Sequence, residues 1–214
     1  MSSKKVVLFG HTGDIGKACL DLLNKTNYTV ICVPRNKVNE VVLEKVDGAI
    51  WAQGANLTET FENTSTENWD SIWDANFNYL VKTLNYLLSN DLLNKNARLV
   101  ALSSVWQEIA RSNKTAYISS KAALGGLVRA LAVELGPNGI AINAILPGVT
   151  ESAMTSRNLS VDQISEIKKT TPTGKLVELS QIASVIEFLV SNKSIGINGQ
   201  SIFVDNGWSQ TKNV

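Results

Sequence analysis

Phe9-Gly10-His11-Thr12-Gly13-Asp14-Ile15-Gly16 decides the fold. The stretch follows an apolar run at 5–9. It opens a segment in which Ile15, Ala18, Cys19, Leu22 and Leu23 fall at i, i+3, i+4, i+7 and i+8, the spacing of one helical face. A strand, a glycine loop and a helix in that order frame a dinucleotide-binding crossover. The first glycine permits a tight turn, the second lets the backbone approach a diphosphate, and the last lets helix and strand pack closely. The helix N-terminus adds free N–H groups and the positive end of a dipole. Gly10, His11, Thr12, Gly13, Asp14, Ile15 and Gly16 are therefore the expected diphosphate cradle, with His11 a loop residue beside the cofactor rather than a catalyst.

Beyond the loop, short β-rich runs recur at 29–33, 48–52, 97–103, 140–146 and 201–204. They do not alternate strictly, as fits strands buried on both faces of a parallel sheet. Helical faces lie between most of them: Trp73, Phe77, Leu80, Leu84 and Leu87; then Leu124, Leu127, Val128, Leu131 and Leu135; then Ile182, Val185, Ile186 and Leu189. Gly136-Pro137 stops the second of these helices, because proline cannot continue one. Alternating strands and helices predict an α/β fold, a Rossmann-like doubly wound parallel sheet. The 214 residues form one domain, with an irregular polar segment at 150–175 carrying a helical patch around 161–168.

Hydrophobic residues make up 44% and charged residues 18%, which excludes global disorder. Twenty basic and 19 acidic residues leave a net charge of +1, so nothing favours nucleic acid or an anionic membrane as partner. The apolar run at 6–10 is shorter than the ~7–15 residues of a signal-peptide core, and no window approaches the ~18 of a membrane span. Two cysteines, Cys19 and Cys32, cannot build a disulfide framework and read as buried thiols of a reducing, cytoplasmic compartment. One histidine and no cysteine cluster leave a metal site unsupported.

The second β run ends Val33-Pro34-Arg35-Asn36-Lys37. An NAD-selecting site usually places an acid here for the ribose hydroxyls. This chain has two cations instead, which favours the 2′-phosphate of NADP over NAD, with Arg35 as its partner. Farther on, Ser103-Ser104 closes a strand, and Tyr117-Ile118-Ser119-Ser120-Lys121 opens a helix that puts Tyr117 and Lys121 on one face. A phenol beside an ammonium is expected to ionise more easily. A serine hydroxyl nearby can orient a carbonyl.

With these residues together, the chain resembles the short-chain dehydrogenase/reductase family along nearly its whole length. Asn76 in Asp74-Ala75-Asn76-Phe77 matches the asparagine of that family's catalytic tetrad, and Asn143-Ala144-Ile145-Leu146-Pro147-Gly148 matches the segment beneath the nicotinamide. The stretch from Gly199 to Gly207 matches its C-terminal strand. Thr171-Pro172-Thr173-Gly174-Lys175-Leu176 looks most like the 3-oxoacyl-carrier-protein reductase branch. The resemblance implies hydride transfer between a nicotinamide and a small carbonyl or alcohol substrate. Tyr117 would donate the proton, Ser104 would hold the substrate oxygen, and Asn76 would support a relay water. Lys121 would bind the ribose hydroxyls and lower the Tyr117 pKa. Gly54, Pro147, Gly148, Val149 and Ser152 would complete the cofactor site, and Trp106 and Met154 would face substrate under a lid at 150–175. It also implies a homodimer or homotetramer, for which Trp69 and Trp73 supply core or interface packing.

Three departures stand out. Asp14 replaces the middle glycine of the family's usual G-x-x-x-G-x-G loop, leaving a G-x-x-G-x-x-G spacing closer to sugar-nucleotide-modifying members. The family's N-N-A-G reads Trp51-Ala52-Gln53-Gly54, so Trp51 is expected to pack in the sheet or core. The interval 34–46 has thirteen residues, too few for the usual two helices at about 11–12 residues each plus a strand of ~5–6. The usual third strand should be missing, leaving six strands with 29–33 at an edge. These departures keep two alternatives open, a non-catalytic dinucleotide-binding or regulatory protein and a sugar-nucleotide-modifying enzyme.

Overall fold

A computed structural model describes residues 3–194 and 196–211, with the side chain of Met154 outside the described set. Six strands form one parallel sheet in the order β2-β1-β3-β4-β5-β6. They are β1 (Lys4–Phe9), β2 (Tyr28–Val33), β3 (Val46–Trp51), β4 (Leu93–Leu102), β5 (Ala141–Pro147) and β6 (Ser201–Val204). As the short 34–46 interval predicts, only a four-residue helix, α2 (Val38–Val41), crosses between β2 and β3, and β2 is an edge strand.

The central strands are apolar on both sides because each feeds two cores. From β1, Val7 and Phe9 enter a cluster with Trp51, Leu84, Leu124 and Ile142. Val6 and Leu8 enter the opposite one with Cys19, Leu23, Ile50 and Ile186. The first is covered by α4 (Tyr79–Ser89) and α5 (Thr115–Leu135), the second by α1 (Asp14–Leu23) and α8 (Leu179–Val190). Trp51 is buried as expected: it stacks on Phe9 at 5.3 Å and donates from Nε1 to Thr83 Oγ1 at 2.8 Å.

Some details differ from the sequence reading. β4 starts at Leu93, ahead of the apolar run, because Val46 pairs with Leu93 and the register then jumps so that Gly48 pairs with Arg98. The polar Asn94-Lys95-Asn96 between them hides this from a hydrophobicity pattern, and Asn96 holds φ 64°. The segment 150–175 is largely helical: α6 (Ala153–Asn158) and α7 (Val161–Thr170) both start at serine N-caps, Ser152 and Ser160. Cys32 is only half-buried, on the edge strand, while Cys19 is buried. No helix among the described residues is long and apolar enough to cross a membrane.

Candidate active site

The chain leaves β1 toward β2 on one side and β3 on the other, which opens a crevice at the carboxyl ends of the strands. A cavity of about 360 Å³ lies there, within the ordinary range for small-molecule sites. One end is the glycine loop. Gly10 has φ +77°, and a Cβ on it would come within 2.5 Å of the Gln53 backbone nitrogen. A Cβ on Gly16 would lie 2.1 Å from the Gly10 carbonyl. Both glycines are therefore dictated by the chain's own packing, which brings the start of α1 against the loop after β1 and that loop against the end of β3.

Of the expected loop residues, Gly10, Thr12, Gly13, Asp14 and Ile15 line the cavity, while Gly16 is buried behind it. His11 is half-buried, does not line the wall, and has no partner for Nδ1. Arg35 is exposed and also lies off the wall, near Asp74 and Tyr79. Gly54, Pro147, Gly148, Val149 and Ser152 line it, and Ser152 spends its Oγ accepting from Thr155 N at 3.3 Å as the N-cap of α6. The Asp14 carboxylate accepts from Ala153 N at 2.9 Å, tying the glycine loop to α6.

Ser104, Tyr117 and Lys121 meet on the opposite part of the wall. β4 ends at Leu102 and delivers Ser104, while the first turns of α5 deliver Tyr117 and Lys121. Lys121 donates to the Leu102 carbonyl at 2.9 Å, with its Nζ 5.8 Å from the Tyr117 ring centre. The expected easing of Tyr117 ionisation is not found. Burial pushes the phenol up, and a hydrogen bond with Ser104 only partly offsets this. Lys121 itself is pulled down to about 7 by burial, so near neutral pH it is only partly charged and gives up much of its leverage on the phenol.

Asn76 stands apart from the cavity wall. It lies in a π-helical turn, Asp74–Asn78, between α3 (Thr66–Trp73) and α4. The turn aims its amide under the loop after β3: Oδ1 accepts from Ala55 N at 2.8 Å, and Nδ2 donates to Ala55 O and Ser120 Oγ, both at 3.0 Å. These bonds hold the cavity floor against α5. Trp106 lines the cavity and meets Trp208 edge to face at 5.6 Å. Met154, by its side chain, is outside the described residues. Trp69 and Trp73 are half-buried rather than in the core.

The sequence reading missed Lys114 and Arg111, which also line the cavity. Lys114 precedes Tyr117 by one helical turn, a signal that was available. A dinucleotide fits the crevice on one observation of the wall itself: the cavity-lining residues Gln53 and Ser103 each keep a buried side-chain oxygen without a partner. Asp14 is the one group there that opposes a diphosphate. Among the described residues no metal-binding cluster of histidine, cysteine and acids exists.

A family model described as enoyl-(acyl carrier protein) reductase matches residues 14–209. The 3-oxoacyl-[acyl-carrier-protein] reductase FabG of Buchnera aphidicola is 33% identical over 145 residues, covering 68% of this chain and 59% of that protein. The uncharacterized oxidoreductase YmfI of Bacillus subtilis is 36% identical over 128 residues, 58% of this chain and 52% of that protein. The chain thus spans only a little over half the length of these curated relatives. In three dimensions, a short-chain dehydrogenase family protein from Francisella tularensis superposes with a TM-score of 0.89 at 22% identity, over 98% of this chain and 100% of that one. A 4-hydroxyisoleucine dehydrogenase complexed with NADH gives 0.86 at 21%, with the same coverage. Those two likenesses speak for the fold. Taken with the family model that covers nearly the whole chain, they place it: the chain belongs to the short-chain dehydrogenase/reductase family, close to its 3-oxoacyl-carrier-protein reductase-like members.

Proposed function

We propose that the protein is an NADP-dependent oxidoreductase that interconverts a carbonyl and an alcohol. The observation that carries this reading is the convergence of Ser104, Tyr117 and Lys121 on a cavity whose other end is the glycine loop. A bound nicotinamide supplies or accepts the hydride. The chain's own residues do the rest. In reduction, the Tyr117 hydroxyl gives a proton to the substrate oxygen, and Ser104 holds that oxygen. A phenol kept protonated by burial suits the acid role. Lys121 orients the ribose, Thr12, Gly13 and Ile15 offer the diphosphate their backbone, and Asn76 acts as a positioning residue under Gly54 and Ala55. Arg35, free of any acidic ion pair within 4 Å among the described residues, is the candidate partner for a 2′-phosphate. The free thiols fit a reducing cytoplasm.

Tyr117→Phe should fold and bind NADPH but lose turnover by ~10²–10⁴-fold. Turnover near the wild-type rate in that variant would sink the assignment. Fluorescence titration with NADPH and NADH tests the cofactor: NADPH should bind more tightly, and Arg35→Ala should erase the difference. Binding of neither would favour a degenerate protein with a regulatory rather than a catalytic role. We further propose a homodimer or homotetramer. Phe61 is 68% exposed and meets half-buried Trp69 edge to face, while Trp73 meets Phe77, so two aromatic pairs lie at α3. Light scattering that returns a monomer mass would rule this out.

A further inference from the structure

The cavity wall carries three cations, Arg111, Lys114 and Lys121, and one acid, Asp14, which sits at the glycine-loop end. Lys121 belongs to the machinery just proposed. Lys114 does not. It is buried to 6% exposure, and its Nζ donates to Asn56 Oδ1 and to Thr58 Oγ1, the latter at 2.8 Å. No carboxylate among the described residues pairs with it. Burial, and to a smaller extent the like charge of Arg111, pulls Lys114 down to about 8.

A buried ammonium without a counter-charge is costly, and tying residues 56–58 to α5 would need only a neutral donor. An ammonium has three N–H donors, and two are spent. Its Nζ lies 5.5 Å from the Tyr117 ring centre, and the Arg111 guanidinium lies 5.8 Å from the Trp106 ring. Two cations without an acidic partner therefore flank the place where the substrate must meet Tyr117.

Resting on the oxidoreductase reading, we propose that the substrate carries an anionic group, a carboxylate or a phosphate ester, a few bonds from the reacting carbon, and that Lys114 with Arg111 binds it. The substrate class is then a small hydroxy or oxo acid, or a phosphorylated counterpart, rather than a neutral alcohol. Asp14 is not the missing counter-ion: it forms no ion pair within 4 Å with either cation, and its carboxylate is engaged with Ala153 N.

Matched probes test this: 3-hydroxybutyrate against its methyl ester, and glycerol 3-phosphate against glycerol. Binding is read by calorimetry before NADP is added, and turnover by absorbance with it. The wild type should prefer one anionic member of a pair at least tenfold, and which pair shows it separates carboxylate from phosphate. Lys114→Met should reduce that preference at least tenfold, mainly through KM, and Lys114→Arg should restore most of it. Arg111→Met, at an exposed position, should reduce it less and serves if Lys114→Met does not fold. Equal binding of both members of each pair, no binding of either anion, or a preference that survives in Lys114→Met overturns the inference. The calorimetric preference is read without turnover. Its loss therefore leaves the oxidoreductase reading standing, and the failure of that reading leaves the anion site still testable.

Discussion

Asp14 and Lys121 show how single groups set the behaviour of this site. Asp14 lines the cavity at its glycine-loop end, and its carboxylate is committed to Ala153 N. Asp14→Gly should therefore tighten NADPH binding by roughly three- to tenfold, the size of a charge effect at a helix N-terminus. It should cost about 1 kcal/mol of stability, since an acid in the first turn of α1 is also favourable there. Titration with NADPH and urea denaturation check the two halves. Lys121 is held down to about 7 and Lys114 to about 8, both below the 10.5 of a free lysine. Between those values and pH 9 the unfolded chain holds more protons than the folded one, so stability should rise with pH. Above pH 9 the Cys19 thiol, pushed up to about 12 by burial, begins to oppose the trend. Urea midpoints at pH 7, 8 and 9 should climb in the wild type and flatten in Lys121→Met.

At the scale of elements, β3 is bound to α4 through one residue that departs from the family pattern. Trp51 stacks on Phe9 and donates to Thr83, whose own hydroxyl donates toward the Tyr79 and Leu80 carbonyls. Trp51→Phe keeps the stack and leaves Thr83 its backbone acceptors, so it should cost about 1–2 kcal/mol. Trp51→Ala leaves a cavity between sheet and helix and should cost about 3–5 kcal/mol. Denaturation midpoints separate the two. Strands were legible where burial is two-sided, as over 6–9 in β1 and through β5, because nearly every residue there is apolar. Elements were not legible where polar residues enter a strand through a register shift, as in β4, or where a short helix lines a cavity rather than a core, as in α6, whereas the patch at 161–168 did mark α7. The π-helical turn that aims Asn76 leaves no composition signal at all.

Across the whole molecule, the loop after β1 and the helices after β5 meet only because the sheet brings the two strand ends to one edge. The Asp14–Ala153 hydrogen bond is the joint between them. NADPH binding should slow amide exchange across 153–170, while Asp14→Gly should speed it in α6 of the free chain. Hydrogen exchange read by mass spectrometry tests both. The sequence alone determined the sheet and its length, because apolar runs of strand size alternate with helical faces and thirteen residues cannot hold two helices and a strand. It also pointed to Tyr117 and Lys121, because spacing on one helix fixes which side chains share a face, and to Ser104 at a strand end through the family pattern. Only the tertiary structure decided the electrical state of those groups and the company they keep. Burial and neighbouring charge are set by the folded surroundings. These pull Lys121 down, hold the Tyr117 proton on, and leave Lys114 beside Arg111 without an acid.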